Sequence, residues 1–274
     1  MNPTSIALGG ALVCPQPSGL AGVEVEVLST GWAATDEAKV EIGHEGATRL
    51  PLLIGHISHP AGDVYVDAGL GQTTRDGIFP RFPLSTGNLT IPPGAALAEQ
   101  SSGEVPIVLL THLHDDHIGG LFDLDTNTVA WTTREEWSTA RTSNVAFSAA
   151  KLSHAVRWNV VDHDPGEAGQ ILGVPALDVR GDGSIWYLST PGHTPGSASV
   201  LVMARAETWL FIGDIAWVDG HLDGTRRPWG VSLLVDGRPK QQKAALDWAR
   251  LYREKCPDLK IVAGHEPKWV ENTL

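Results

Sequence analysis

THLHDDH, at residues 111–117, places three imidazoles and two carboxylates within six residues, directly after the apolar run at 105–110. His112 and His114 are two residues apart, so in extended backbone their side chains point the same way. Asp116 and His117 follow at a bend and can reach a second position nearby. Imidazole and carboxylate ligands without a thiolate suit zinc, iron, manganese or cobalt. The stretch therefore predicts half of a two-metal site.

Three later segments repeat one pattern, in which a short apolar run is followed by glycine and a further candidate ligand. The runs and ligands are Ile185–Leu188 before His193, Trp209–Ile212 before Asp214, and Leu259–Val262 before His265. Short apolar runs bounded by glycine and proline are typical of buried strands. A ligand just past each strand end would hold a site in loops at one edge of a sheet.

Together these residues resemble the dinuclear metal signature of the metallo-β-lactamase superfamily, over roughly residues 40 to 270. The set is His112, His114, Asp116, His117, His193, Asp214 and His265. The resemblance implies that His112, His114 and His193 bind a first metal ion, that Asp116, His117 and His265 bind a second, and that Asp214 bridges them. It also implies that Asp67, in the strand-end segment Tyr65–Gly69, orients a ligand histidine.

The resemblance further implies the fold and the chemistry. The expected fold is α/β, a four-layer αβ/βα sandwich of two mixed β-sheets flanked by helices. Two divalent metal ions are expected, with zinc favoured and iron, manganese or cobalt as alternatives. They would provide a metal-bridging hydroxide that attacks a lactone or ester, while Asp116 passes a proton to the leaving group.

The compact N-acyl-homoserine lactonases are the group that the chain most resembles, with one departure. Such lactonases commonly have a tyrosine three residues after the bridging aspartate, whereas this chain has Trp217. An indole can donate one hydrogen bond but cannot accept one. An organophosphate or aryl ester hydrolase of the same fold is therefore the alternative. A non-enzymatic ligand-binding protein is disfavoured because no ligand of the signature is missing.

The insertion after Asp214 contains further candidate residues. Trp217 and Trp229 are expected to line a substrate pocket, with core packing as the alternative. We interpret Arg226 and Arg227 as solvated loop residues, although arginines can bind a carboxylate or phosphate. His221 is a weaker candidate for a proton carrier.

Composition predicts one soluble domain, and the resemblance implies that it acts on a small-molecule ester or lactone. The 274 residues are 42% hydrophobic and 19% charged, with a net charge of -12, which disfavours nucleic acid and anionic membranes as partners. A homodimer is expected from the resemblance alone. Residues 1–22, which contain three prolines, are expected to form an N-terminal arm, and 23–274 a single metallo-β-lactamase-like domain.

Local patterns predict several further elements and a compartment. The predicted helices are 134–150 and 241–254, with a short one at 95–100, and early strands are expected at 23–28 and 63–66. Cys14 and Cys256 are expected to be free thiols, with a disulfide between them as the alternative. Free thiols and the absence of a secretory signal pattern predict a cytoplasmic protein.

Overall fold

Residues 12–75, 89–101, 105–142, 156–163 and 169–270 are described by the computed structural model of the protein. The strands are β1 (Glu24–Asp36), β2 (Ala47–Ser58), β3 (Val64–Val66), β4 (Leu89–Thr90), β5 (Ile107–Leu109), β6 (Val129–Thr133), β7 (Arg157–Val161), β8 (Gly169–Ile171), β9 (Val174–Asp178), β10 (Ile185–Ser189), β11 (Ala198–Met203), β12 (Thr208–Phe211) and β13 (Leu259–Val262). The helices are α1 (Glu37–Val40), α2 (Gln72–Arg75), α3 (Leu97–Gln100), α4 (Asp115–Ile118), α5 (Arg134–Thr142), α6 (Asp219–Leu222), α7 (Trp229–Val235) and α8 (Pro239–Lys255).

The strands form two mixed sheets. The first has seven strands in the order β4-β1-β2-β3-β5-β6-β7, and the second has six in the order β13-β12-β11-β10-β9-β8. In the first sheet, β3, β5, β6 and β7 run parallel to one another. In the second sheet only β12 and β13 are parallel. The long antiparallel pair β1–β2 and the meander β8–β12 complete the two sheets.

Successive side chains along each strand of the second sheet point to opposite faces, so both faces carry apolar residues and both are covered. Val200, Val202 and Phe211 pack towards the first sheet, whereas Leu201 and Leu210 pack towards α8, as expected for a period of two. Close approach of the sheets requires a glycine at Gly55, since a Cβ there would lie 2.7 Å from the ring of Phe211. Apolar side chains of both sheets therefore form one continuous central core.

Helices cover the outer faces, which makes the predicted four-layer αβ/βα sandwich correct. On the second sheet, α8 buries Ala245, Trp248 and Tyr252 along one stripe. Pro239 in its first turn and the basic residues Arg253 and Lys255 in its last turn favour these helix limits. On the first sheet, Leu97 of α3 and Ile118 of α4 pack against the strands together with Leu121.

Most of the predicted elements are present, with shifted limits. The four apolar runs that precede candidate ligands are β5, β10, β12 and β13, and the helix predicted at 241–254 is α8. The helix predicted at 134–150 is described as far as Thr142, and the remainder of that prediction lies outside the described residues. Residues 12–22 contain no helix or strand, and the division into an arm and a domain stays a prediction. No helix in the described ranges is long and apolar enough to span a membrane.

Cys14 and Cys256 form a disulfide bond, so the prediction of free thiols is wrong. The bond joins the arm to the residue that follows α8, and Cys256 is 3% exposed. The sequence could not settle the pairing because the residues are 242 positions apart, and pairing depends on the spatial separation of the Cα atoms. The cytoplasmic location stays a prediction, without the support of free thiols.

We expect reduction of this disulfide to lower the melting temperature. Removing a native disulfide destabilises a protein by about 2–4 kcal/mol, which corresponds to roughly 5–15 °C for a chain of this size. The measurement is thermal unfolding with and without reductant, beside the C14A/C256A variant, whose melting should not respond to reductant. Alkylation of both cysteines in the unreduced protein, detected by mass spectrometry, would contradict the bond.

Candidate metal centre

All seven candidate ligands lie in loops or short helices that follow strands. His112 and His114 follow β5, and Asp116 and His117 lie in α4 directly after them. The other three, His193, Asp214 and His265, follow β10, β12 and β13. The structure groups the ligand atoms of His112, His114, His193 and Asp214, and separately those of Asp116, His117 and His265, each group within 4.8 Å. Distant parts of the chain thus meet at one end of the two sheets.

The three imidazoles of the first group point at one another. Nδ1 of His114 lies 3.1 Å from Nε2 of His112 and 3.0 Å from Nε2 of His193. All three rings are tightly packed, with centroids 4.6–4.8 Å apart. Three nitrogens at this spacing can face a single cation.

The second group combines two imidazoles with a carboxylate. Oδ2 of Asp116 lies 3.6 Å from Nε2 of His117 and 3.5 Å from Nε2 of His265. Both imidazoles are buried, as is Asp116.

Asp214 lies between the two groups, with one carboxylate oxygen towards each. Its Oδ1 is 3.3 Å from Nε2 of His117 and 3.3 Å from Nε2 of His265. Its Oδ2 is 3.3 Å from Nε2 of His193 and 3.9 Å from Nε2 of His112. This is the placement expected of a bridging ligand.

Unpaired buried atoms test whether the residues fit metal ions. Oδ2 of Asp116, Nε2 of His117 and Oδ1 of Asp214 are fully buried and form no hydrogen bond within the described part of the chain. Buried polar atoms are normally paired, and these three converging exceptions fit a bound ligand such as a cation. Two carboxylates and five imidazoles are the donor set that divalent transition metals accept. The residues therefore fit two cations.

Asp67 orients the first loop and one of its histidines, at the position that the sequence indicated. Its Oδ2 accepts hydrogen bonds from Nδ1 of His117 at 2.8 Å and from the hydroxyl of Thr111 at 2.9 Å, and its Oδ1 accepts one from the Thr111 N–H at 2.7 Å. With Nδ1 donating, Nε2 of His117 is left to face the second group. Asp67 has a φ of 60°, an uncommon conformation for a residue with a side chain.

Two other histidines are fixed by the same kind of contact. Nδ1 of His265 donates to the carbonyl oxygen of Pro51 at 2.9 Å, and Nδ1 of His193 donates to Oδ1 of Asp236 at 3.1 Å. Asp236 is also 3.2 Å from the guanidinium of Arg227, and both are buried.

Sequence reasoning missed Asp236 because no motif surrounds it. It was also wrong for Arg227, which is a buried ion-pair partner rather than a solvated loop residue, whereas Arg226 is exposed.

Glu136 of α5 is a second residue that the sequence did not indicate. Its carboxylate accepts hydrogen bonds from the N–H of Leu113 at 2.9 Å and of Gly196 at 3.0 Å. These donors belong to the loops that carry His112, His114 and His193, so one carboxylate holds the two loops together. Burial raises the pKa of Glu136. Its only sequence signal was its place in a predicted helix.

Electrostatics differ between the two groups. Burial lowers the pKa values of His112 and His114 well below the usual range, and neighbouring imidazoles lower them further. These rings are therefore neutral and can offer lone pairs. Burial also opposes protonation of His117, but the carboxylates of Asp116, Asp67 and Asp214 outweigh it and raise the pKa of His117 well above its usual value. The second group thus favours positive charge, which a bound cation would supply in place of the proton.

Trp217 lies directly behind the bridging position. Its indole N–H donates to Oδ2 of Asp214 at 2.8 Å, and the Arg227 guanidinium carbon lies 4.7 Å from its ring centroid. His221 uses both ring nitrogens on backbone: Nδ1 accepts from the N–H of Trp217 at 3.2 Å, and Nε2 donates to the carbonyl of Val40 at 2.9 Å. Burial lowers the pKa of His221 to about 4. His221 therefore positions the Trp217 loop, and neither nitrogen is free to carry protons.

A cavity of about 490 Å³, including space open to solvent, borders the second group. It is lined by Ala33, Thr35, Lys39, Val40, Leu50, Leu52, Asp116, Asp214, Trp217, Val231 and His265. Trp217 therefore lines a pocket, as expected. Trp229 does not lie among these residues, and its side chain is 78% exposed. Val231, from the opposite side of the same helix α7, contributes to the wall instead.

Comparisons with curated proteins identify relatives over most of the chain. The "probable metallo-hydrolase" of Mycobacterium tuberculosis is 30% identical over 230 residues, which are 75% of this chain and 71% of that protein. The N-acyl homoserine lactonase AttM of Agrobacterium fabrum is 27% identical over 246 residues, 84% of this chain and 87% of that protein.

Solved structures show the same fold at lower identity. A mutant of AiiA from B. thuringiensis, with N-decanoyl-L-homoserine bound at its active site, superposes with a TM-score of 0.71 at 16% identity, covering 92% of this chain and 97% of that chain. The dizinc quorum-quenching lactonase AidC superposes with a TM-score of 0.61 at 15% identity, covering 89% and 88%. The family model of the metallo-beta-lactamase superfamily matches residues 53–265, which include all seven candidate ligands. The chain therefore belongs to the metallo-β-lactamase superfamily.

Proposed function

We propose that this metal-dependent hydrolase uses two divalent cations to open the ring of a lactone or to cleave a related ester. The observation that carries the proposal is the position of Asp214, with one oxygen towards each ligand group, at the wall of a largely apolar cavity. The N-acyl homoserine lactonase AttM and the dizinc lactonase AidC support this reaction class by similarity. Zinc as the metal, a cytoplasmic location and a homodimer stay predictions from the sequence.

The cations, when bound, would supply Lewis acidity and lower the pKa of water enough to provide a nucleophile near neutral pH. The chain's own contribution begins with His112, His114 and His193 on one side and Asp116, His117 and His265 on the other, with Asp214 shared. Because Asp67, Asp236 and the carbonyl of Pro51 fix three of the rings, little reorganisation is needed when substrate binds.

Asp116 is the residue that we assign to proton transfer. It belongs to the second ligand group and also lines the cavity, so its carboxylate lies between the candidate cations and the space for substrate. From there it can accept a proton from attacking water and give it to the departing alkoxide. Within the described part of the chain no hydrogen bond restrains its Oδ2.

Trp217 separates this chain from the lactonases that it resembles. Its single N–H is already donated to Asp214, so it cannot at the same time bind a substrate carbonyl. Substrate must therefore be oriented by the cations and by the cavity wall. A planar aromatic wall also suits aryl esters and phosphotriesters, which makes an aryl ester or organophosphate hydrolase the second candidate. A purely ligand-binding role is disfavoured because every ligand of the site is present, and all but the half-buried His114 are buried.

Turnover should depend on two metal ions per chain. We expect metal-depleted protein to be inactive and Zn²⁺, Co²⁺, Mn²⁺ or Fe²⁺ to restore proton release from lactones, with weaker activity on aryl esters and phosphotriesters and none on β-lactams. Metal content by mass spectrometry should reach two ions at full activity. Turnover that persists in demonstrably metal-free protein would refute the proposal, and activity confined to phosphotriesters or aryl esters would favour the second candidate.

Asp116→Asn should lower kcat on alkyl lactones by about 10²–10⁴-fold, because it removes a proton carrier. Esters with a nitrophenol leaving group, which departs without protonation, should lose much less. Asp115→Asn, at the neighbouring carboxylate outside both ligand groups, is the matched control and should stay close to wild type. If the Asp116 variant binds two metal ions and still opens lactones at the normal rate, the assignment is wrong.

Trp217→Phe should weaken metal binding, because it removes the hydrogen bond to Asp214 and keeps an aromatic ring beside Arg227. Loss of a partner of this kind costs about 10–100-fold in metal affinity. Competition with a chromophoric chelator measures the affinity independently of turnover. Trp229→Phe, at an exposed indole, should leave the affinity unchanged. Equal affinities for the two variants would show that the Trp217 hydrogen bond does not stabilise the metal site.

A further inference from the structure

The cavity beside the candidate metal centre combines an apolar wall with one basic side chain among its described residues. Its wall away from the ligands is mainly aliphatic, with Ala33, Val40, Leu50, Leu52 and Val231, and also includes Thr35. Lys39 is the only lysine or arginine among the described residues that line it. Ligand pockets commonly combine an apolar lining with a few polar groups that determine specificity. A lone ammonium in such a wall is therefore a candidate for recognition of an anionic group.

Lys39 has no carboxylate partner among the residues that the structure describes, at any distance up to 4.0 Å. Two acids of the same segment, Asp36 and Glu41, have partners of their own. Oδ1 of Asp36 caps α1 by accepting from the N–H of Ala38 at 3.0 Å, and Glu41 accepts from the hydroxyl of Thr225. Lys39 is half-buried, and its ammonium, which has no carboxylate partner among the described residues, is available to a ligand that carries a negative charge.

The backbone that carries Lys39 is firmly attached to the metal centre. The carbonyl of the next residue, Val40, accepts a hydrogen bond from His221, which also binds the backbone of Trp217. The side chain of Val40 packs with Trp217 and Val218. Trp217 in turn donates to Asp214. The position of Lys39 relative to the bridging carboxylate is thus fixed through a short series of direct contacts.

We propose that Lys39 is a carboxylate-binding subsite, and that the preferred substrates are lactones or esters whose acyl portion ends in an anionic group. The inference rests on the proposed function, because it assumes that the reacting carbonyl is held at the metal centre. The acyl chain lies along the aliphatic wall, and its terminal carboxylate accepts a charge-assisted hydrogen bond from the Lys39 ammonium. The competing interpretation is that the Lys39 stem only covers apolar surface while its ammonium stays in water.

A matched ligand pair tests the subsite. N-Glutaryl- and N-pentanoyl-homoserine lactone have acyl chains of equal length that end in a carboxylate and a methyl group, respectively. We expect the metal-loaded wild type to favour the glutaryl lactone by about tenfold in kcat/KM, mainly through a lower KM. A tenfold ratio corresponds to one charge-assisted hydrogen bond at a half-buried residue. The preference should decrease at high salt.

Variants at Lys39 and at a second lysine show whether the preference depends on Lys39 itself or on positive charge in general. Lys39→Met, which keeps the apolar stem, should abolish the preference, and Lys39→Glu should transfer it to the lactone with a cationic 5-aminopentanoyl chain. Lys240→Met, at an exposed lysine in the first turn of α8, should keep the wild-type preference. A wild-type preference for the pentanoyl lactone, or an equal change for both lactones in the Lys39→Met variant, would overturn the subsite.

Binding measured by calorimetry distinguishes failure of the Lys39 subsite from failure of the proposed function. The corresponding lactams resist hydrolysis and report binding without turnover. If the lactones are not hydrolysed but the glutaryl lactam binds more tightly than the pentanoyl lactam in a Lys39-dependent manner, the subsite stands and the reaction class is wrong. If both lactones are hydrolysed without discrimination, the reaction class stands and the subsite is wrong.

Discussion

Burial of Asp214 between two sets of imidazoles is the constraint around which the rest of the molecule is arranged. An ionised carboxylate in a low-dielectric interior is costly unless positive charge or hydrogen bonds compensate it. Burial alone would raise the pKa of Asp214, but the imidazoles of His265, His117 and His193 lower it well below its usual value. The carboxylate therefore stays ionised. Both of its oxygens then require partners at defined positions, and only strand-end loops on a rigid double sheet bring those partners together.

The same hydrogen bonds serve stability and function. Asp67 satisfies buried donors of the first ligand loop and fixes the tautomer of His117. Glu136 satisfies two backbone donors and thereby fixes the distance between the loops of His112 and His193. Removing either carboxylate would leave buried N–H groups unpaired, at about 1–3 kcal/mol each. Both carboxylates therefore stabilise the fold, and the geometry of the candidate metal centre depends on them as well.

Local pattern was sufficient to predict strands and candidate ligands, because the ligands come shortly after short apolar runs, and the resemblance of those ligands to a family signature implied the fold. It was insufficient where a residue acts through a contact between distant segments. Asp236 reaches His193 across 43 positions, and Glu136 reaches Gly196 across 60. The disulfide and the burial of Arg227 were misjudged for the same reason, since spatial proximity and not sequence context determines them. Trp229 was placed in the pocket by its position in the insertion, but the inward-facing residue of that helix is Val231.

The contacts that fix the candidate metal ligands are largely distinct from the cavity wall that would recognise the substrate. The rings of His117, His193 and His265 are held by Asp67, Asp236 and the carbonyl of Pro51, none of which lines the cavity, so side chains of α1 and α7 can vary without moving these rings. An anionic substrate poses a particular problem for such a site, because its carboxylate competes with its reacting carbonyl for the cations. A lysine on the wall gives the carboxylate a different partner and leaves the carbonyl to the metal centre. Because α1 is joined to the Trp217 loop through His221, the distance between the two binding points is set by the fold. Chain length between the carbonyl and the anionic group should therefore determine which substrates can occupy both points at once.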